Sequence, residues 1–174
     1  MRIELVKLEG GKSEFTKVYE PDALDLGDER VKLCSTTSIS GKIRRTGTEV
    51  FVTGHVDACV QVDCDRCLTP IQLPVSSDFS LEYITGSDYE ASASAELTED
   101  LMSIAVFDGE AIDVDEIVKE QVLLSVPIRS LCKPDCKGFC PTCGADKNAG
   151  ECGCYPSEVD PRWAALQGLI NDKS

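Results

Sequence analysis

A chain of 174 residues with 42% hydrophobic side chains can bury one core, or a core with a small satellite, which excludes a wholly disordered polypeptide. Seventeen basic residues against 31 acidic ones give a net charge of −14, which opposes non-specific attraction to nucleic-acid phosphates or anionic lipid. The first ten residues lack the apolar stretch of an export signal and no later run approaches the ~18 apolar residues of a membrane span, so the chain reads as soluble, unexported and cytoplasmic.

The first half reads as strands. Over residues 31–43, Val31, Leu33, Ile39 and Ile43 alternate with Lys32, Thr36, Ser38 and Lys42. After a basic turn at residues 44–47, a second strand carries Val50, Val52, Val56, Ala58, Val60 and Val62 on one face and Thr53, His55, Asp57, Gln61 and Asp63 on the other. A third holds Ile71, Leu73, Val75, Phe79, Leu81 and Tyr83 in phase. Short connections predict an antiparallel, twisted meander. Residues 85–98, rich in Ser, Ala and acidic groups, read as a loop, and the apolar stretch 101–107 as a further strand.

A helix follows. Asp113 with Glu116 three residues on forms a capping-box-like start, Ile117, Val118, Gln121, Val122 and Leu124 continue it, and Pro127 ends it. A second short helix is predicted near the C-terminus, with Asp160 as N-cap, Pro161 at the first position and Trp163, Leu166 and Ile170 at helical spacing. Between residues 78 and 120 thirteen acidic residues accompany a single basic one, Lys119, which gives either a solubilising face or a docking surface for a basic partner.

Ten cysteines in a chain without an export signal favour metal over disulfides. Six of them fall within 23 residues: Cys132-Lys-Pro-Asp-Cys136-Lys-Gly-Phe-Cys140-Pro-Thr-Cys143-Gly, then Cys152-Gly-Cys154. The only apolar side chains between them, besides two prolines, are Phe139, Ala145 and Ala149, so hydrophobic burial cannot organise this segment. A structural zinc ion contributes an apparent ~10–16 kcal/mol to folding, comparable to the ~5–15 kcal/mol stability of a whole domain. Zinc takes four ligands in a tetrahedron, and each closely spaced pair supplies two from one tight turn. Cys140, Cys143, Cys152 and Cys154 make one ribbon-like set. An upstream pair, Cys64-Asp-Arg-Cys67, needs two more ligands, and Cys132 with Cys136 supplies them. One or two structural zinc ions follow, with exchange of ligands between the pairs left open by spacing alone.

Other chemistries weigh less. A redox role for Cys64 and Cys67 needs a βαβ context, which is not apparent, and an iron–sulfur cluster would use the same thiolates. Cys34 and Cys59 lie on polar-looking strand faces with no cysteine near them in sequence and read as small side chains. Arg66, Arg129, Lys133 and Lys137 border the thiolates and either balance their charge or contact RNA or a partner. His55 is the only histidine and has no evident nucleophile, an all-cysteine zinc site leaves no position for water, and no phosphate loop or dinucleotide motif is present, so no catalytic residues are assigned.

The fold class read from these signals is α+β, mostly β: a twisted antiparallel sheet with one packing helix over residues 1–130, and a zinc-ribbon-like module with a terminal helix over residues 131–174. The pattern resembles the YceD family. Cys64 to Cys67, the stretch Gly109-Glu-Ala-Ile112-Asp113, a helix ending at Pro127, then Cys136 to Gly144, Cys152 to Cys154 and Asp160-Pro-Arg162 carry the resemblance across roughly residues 30–170. It implies a non-enzymatic role in synthesis, processing or stability of large-subunit ribosomal RNA, often encoded beside a large-subunit ribosomal protein. For so acidic a chain, the partner that fits is a basic ribosomal protein or a pre-ribosomal particle. The alternatives are a direct RNA-binding zinc module and a thiol-based redox or zinc-responsive regulator.

Overall fold

Alternating apolar side chains draw out a six-stranded sheet in the computed structural model, which describes residues 1–92, 104–154 and Arg162. At its centre is β5 (Glu49–Asp63), with Val50, Val52, Val56, Val60 and Val62 buried on one face. It pairs antiparallel with β4 (Thr37–Thr46) on one side and β6 (Pro70–Thr85) on the other. Beyond β4 lies β2 (Lys12–Tyr19), and β3 (Lys32–Leu33) adds a short antiparallel pairing to β5. A separate two-stranded ribbon joins β1 (Arg2–Glu4) to β8 (Ala111–Asp113).

The last strand of the sheet, β7 (Ile104–Phe107), runs parallel to β6, so the sheet is mixed where the sequence predicted antiparallel neighbours throughout. Parallel pairing needs a crossover, and the connection here is long and carries α1 (Gly86–Ser92). This helix replaces the start of the predicted loop. Its signal is local: Thr85 donates to the Asp88 carboxylate at 2.5 Å and accepts from the Asp88 N–H at 3.4 Å, a capping pair three residues apart.

The strand expected across residues 31–43 is broken. Leu33 pairs with Val60 but Ser38 with Asp57, so five steps along one strand face three along the other and the chain bulges between β3 and β4. A row of four residues crosses the sheet at Phe15, Gly41, Gly54 and Phe79. A Cβ on Gly41 would lie 2.7 Å from the Phe15 ring and one on Gly54 2.6 Å from the Phe79 ring, so the two rings occupy the space the glycines leave.

The core face is covered by α2 (Val114–Ser125), which buries Val114, Ile117, Val118 and Val122. Asp113 caps it by accepting the Asp115 N–H at 2.9 Å, and the helix ends at Ser125, two residues before Pro127. Leu124, which continues the predicted helix, is 78% exposed. The first turn of α2 is tied to β2 because the Asp115 carboxylate accepts from Tyr19 Oη at 2.5 Å and Lys17 Nζ at 3.0 Å and pairs with the N-terminal ammonium. Burial opposes its charge, but these donors hold the carboxyl well below the usual carboxylate range. The predicted helix at residues 160–170 lies outside the described residues. Among the described residues no helix is long and apolar enough to cross a membrane.

Candidate metal centres

The first centre starts where β5 turns into β6. Cys64 donates its N–H to the Thr69 carbonyl at 2.9 Å and accepts the Leu68 N–H at 2.9 Å, which curls residues 64–69 so that both thiols point inward. Leu68 closes the curl at φ 54, the one described non-glycine residue with positive φ. The chain leaving α2 is clamped to this turn by two hydrogen bonds, Asp65 N–H to the Ser130 carbonyl at 2.9 Å and Ser130 N–H to the Asp65 carboxylate at 2.6 Å. That clamp delivers Cys132 and Cys136. The Cys64 and Cys136 sulfurs are then 3.8 Å apart and those of Cys67 and Cys132 3.6 Å. A tetrahedral ion with ~2.3 Å metal–sulfur bonds has sulfur–sulfur edges of ~3.8 Å, so the thiols stand where zinc would need them.

The second centre is more local. Cys140 donates to the Ala145 carbonyl at 2.8 Å and accepts the Gly144 N–H at 2.9 Å, the same curl with glycine at φ 73 in the place of Leu68. Phe139 bridges to Asp146, and Asp146 accepts the Asn148 N–H at 2.9 Å, turning the chain back toward Cys152 and Cys154. In both sets, Cys64, Cys67, Cys132 and Cys136, and Cys140, Cys143, Cys152 and Cys154, all four sulfurs lie within 4.8 Å of one another. The first is the more buried, with Cys64 and Cys136 fully inaccessible, Cys67 buried and Cys132 exposed, whereas Cys140 is the one buried member of the second.

The thiols are electrically unequal. Backbone N–H groups, chiefly that of Cys132, pull Cys64 down to about 6, and those of Cys143 and Thr142 do the same for Cys140. Burial and the neighbouring thiols push Cys132 up to about 12, while Cys143 and Cys152 push Cys154 up to about 12. Four thiols packed this closely cannot all ionise without a cation among them, which a bound metal provides.

The two centres share a strut. Asn148 of the second loop donates to Cys136 Sγ at 3.5 Å and accepts the Lys137 N–H at 2.9 Å, Phe139 N–H reaches the Arg66 carbonyl at 3.2 Å, and Arg66 Nη1 donates to the Cys136 carbonyl at 2.5 Å. Gly138 sits at φ +66 with no room for a side chain, since a Cβ there would be 2.7 Å from the Arg66 carbonyl oxygen. Arg66 is thus committed to holding the centre together. Arg129, Lys133 and Lys137 are exposed beside it, and among the described residues none of these four cations forms an ion pair with a carboxylate.

Two sequence readings change. Cys34 and Cys59, taken as isolated, face each other across β3 and β5, with Cys34 N–H donating to the Cys59 carbonyl at 2.8 Å. His55 does have a hydroxyl neighbour: Ser76 Oγ lies 3.2 Å from Nε2 and Asp78 lies 2.7 Å from Nδ1. Asp57 approaches the same Nε2 at 3.2 Å, and Asp78 and Asp57 together raise the imidazole pKa. The imidazolium they favour has no lone pair with which to take a proton from Ser76.

A β-rich protein with two four-cysteine clusters, the first of which joins its C-terminal segment to the turn between β5 and β6, is the class these features define. Residues 52–170 match the family described as large ribosomal RNA subunit accumulation protein YceD, and the chain belongs to that family. An uncharacterized protein of Mycobacterium tuberculosis strain H37Rv is 34% identical over 133 residues, 76% of this chain and 61% of that protein. YlbN of Bacillus subtilis, also described as uncharacterized, is 29% identical over 158 residues, 90% of this chain and 87% of its own length. A maize chloroplastic protein named large ribosomal RNA subunit accumulation protein YCED homolog 1 is 25% identical over 145 residues, covering 70% of this chain and 49% of the maize protein. The chain thus spans about 61% of the mycobacterial relative's length. No solved structure matches it. The family description names an accumulation role, which is not a catalysed reaction.

Proposed function

We propose that the protein is a non-enzymatic cytoplasmic factor in ribosome biogenesis that holds two structural zinc ions and supports large-subunit ribosomal RNA by binding a basic ribosomal protein, free or on a pre-ribosomal particle. Cys64, Cys67, Cys132 and Cys136 hold one ion, and Cys140, Cys143, Cys152 and Cys154 the other. Each ion draws its ligands from thiolates alone, which suits a structural site and leaves no position for a reacting water. The division into a sheet domain of residues 1–130 and a zinc-binding module of residues 131–174 belongs to the same reading.

The observation that favours a protein partner is a groove of about 710 Å³ beside the first centre, lined by Val31, Val62, Leu68, Val126 and Ile128 together with Asp28, Asp63, Asp65 and one cation, Arg30, which pairs with Asp28 at 3.4 Å. Leu68 is 63% exposed and Ile128 fully so. An aliphatic side chain flanked by Lys or Arg fits this combination, and such segments are what a basic ribosomal protein offers a chain of net charge −14. The RNA reading rests on Arg129, Lys133 and Lys137 alone, since Arg66 is engaged with Cys136.

Recovery of the tagged protein from its own cell extract at ~0.15 M salt, with and without ribonuclease, separates the two. Large-subunit ribosomal proteins that survive ribonuclease and are lost with Ile128→Asp support the groove. Partners that vanish with the RNA, and with charge reversal at Lys133 and Lys137, transfer the function to RNA contact. Metal counting on Cys→Ser variants checks the sites: replacing any member of a set should empty that set.

A further inference from the structure

We propose that Cys34 and Cys59 form a reversible disulfide between β3 and β5, a thiol-modification site separate from both four-cysteine clusters. The ladder Lys32 to Gln61 and Leu33 to Val60 continues by one step, through the 2.8 Å bond from Cys34 N–H to the Cys59 carbonyl, and so places the two cysteines directly opposite. Opposed residues in an antiparallel pair have Cα atoms ~4.5–5.5 Å apart, inside the ~4.4–6.8 Å that a disulfide spans. Cys59 stands on the face of β5 away from the buried valines, and both cysteines are partly exposed, so a small reagent reaches them. Burial and then the facing Cys59 thiol push the Cys34 thiol up to about 11. The other eight cysteines complete two tetrahedra, and this pair is left over from both.

The oxidant is a low-molecular-weight disulfide such as oxidised glutathione. The thiolate of one cysteine attacks it, forming a mixed disulfide and releasing one small thiol. The second cysteine, as thiolate, then displaces the other small thiol and closes the Cys34–Cys59 bond. Two electrons pass from the pair to the small disulfide, and the two protons end on the released thiols. Excess reduced glutathione runs the steps backward. The bond would reinforce a strand held by only two ladder pairs, and with it the acidic turn that contains Asp25, Asp28 and Glu29.

The test equilibrates the full-length protein, with its metal as isolated, against a series of reduced-to-oxidised glutathione ratios, followed by thiol trapping, peptide mapping and metal counting. The expected result is a peptide linking Cys34 to Cys59, two hydrogen masses lighter than the sum of its parts, that appears and disappears with the ratio while metal content stays constant. Amide exchange in the 24–33 turn should slow in the oxidised form. A Cys34→Ser variant, checked as folded by its unchanged metal content, should instead carry a glutathione adduct on Cys59. Loss of metal before any Cys34–Cys59 link forms, or both cysteines remaining unlinked at every ratio, overturns the proposal. Neither outcome bears on partner binding at the groove.

Discussion

Leu68 occupies the place after Cys64-Asp-Arg-Cys67 that Gly144 fills after Cys140-Pro-Thr-Cys143, and it does so at φ 54. A side chain with a Cβ is destabilised in that conformation by ~1–2 kcal/mol, and at 63% exposure Leu68 recovers little of it by burial. Strain retained where glycine would relieve it marks a position serving something other than the fold. Leu68→Gly should therefore raise stability by about 0.5–1 kcal/mol in a denaturant midpoint, leave the metal content unchanged, and weaken recovery of the partner proposed for the groove. A variant that lost metal would make Leu68 a structural residue and remove it from the groove. At this scale the sequence was most informative for the eight clustered cysteines, because ligand pairs are delivered by local turns whose spacing is visible. Cys34 and Cys59 were invisible as a pair, since their meeting depends on a register set across a bulge, and so was Leu68, whose backbone conformation no residue type advertises.

Among the elements, β4, β5 and β6 were legible because one face of each is a run of aliphatic side chains with a period of two. β2 was not. Phe15 and Tyr19 are its only buried side chains, and Ser13 and Lys17, in the same phase, are polar, so the alternation is too sparse to read. Its attachment to α2 runs largely through polar contacts at Asp115, and these carry a pH signature. The folded-state pKa of Asp115 is depressed below its unfolded value of ~3.9, so its contribution is complete above that value and is lost as pH falls toward the folded pKa. Hydrogen bonds to charged groups are worth ~1.5–3 kcal/mol, less when solvent screens them, and this carboxylate is 35% exposed. Asp115→Asn should then cost about 1–2 kcal/mol at pH 7, with the gap to the parent protein narrowing below pH ~4. A gap that stayed constant through acid would locate the loss in packing instead. The parallel placement of β7 had no signature in sequence, because strand direction is decided by a crossover whose length is visible but whose path is not.

For the whole molecule, the decisive fact is that residues 131–154 are held to the sheet almost entirely by polar and thiol contacts. Among the described residues Leu131 is the one apolar side chain packed on the first cluster, while the main core, built from the strands, α2 and the segments that carry Leu5, Leu24, Leu26 and Val31, contains no cysteine. The two parts should therefore separate energetically when metal is withdrawn. With one ion proposed for each cluster, a strong chelator is expected to release residues 131–154, so that amides of the 64–69 turn and of Phe139, Cys140, Gly144 and Lys147 exchange rapidly, while those of β4, β5 and β6 remain protected. The strut from Gly138 and Asn148 to Arg66 and Cys136 adds an order to this release. The second centre is closed by ligands within 15 residues of one another and can persist alone, whereas the first joins segments 65 residues apart and depends on the strut for alignment. Replacing Cys140 with Ser should then weaken metal at both centres, and replacing Cys64 with Ser should empty only the first. Equal and independent losses in a two-site metal titration would mean that the strut transmits nothing, and that the clusters are separate staples.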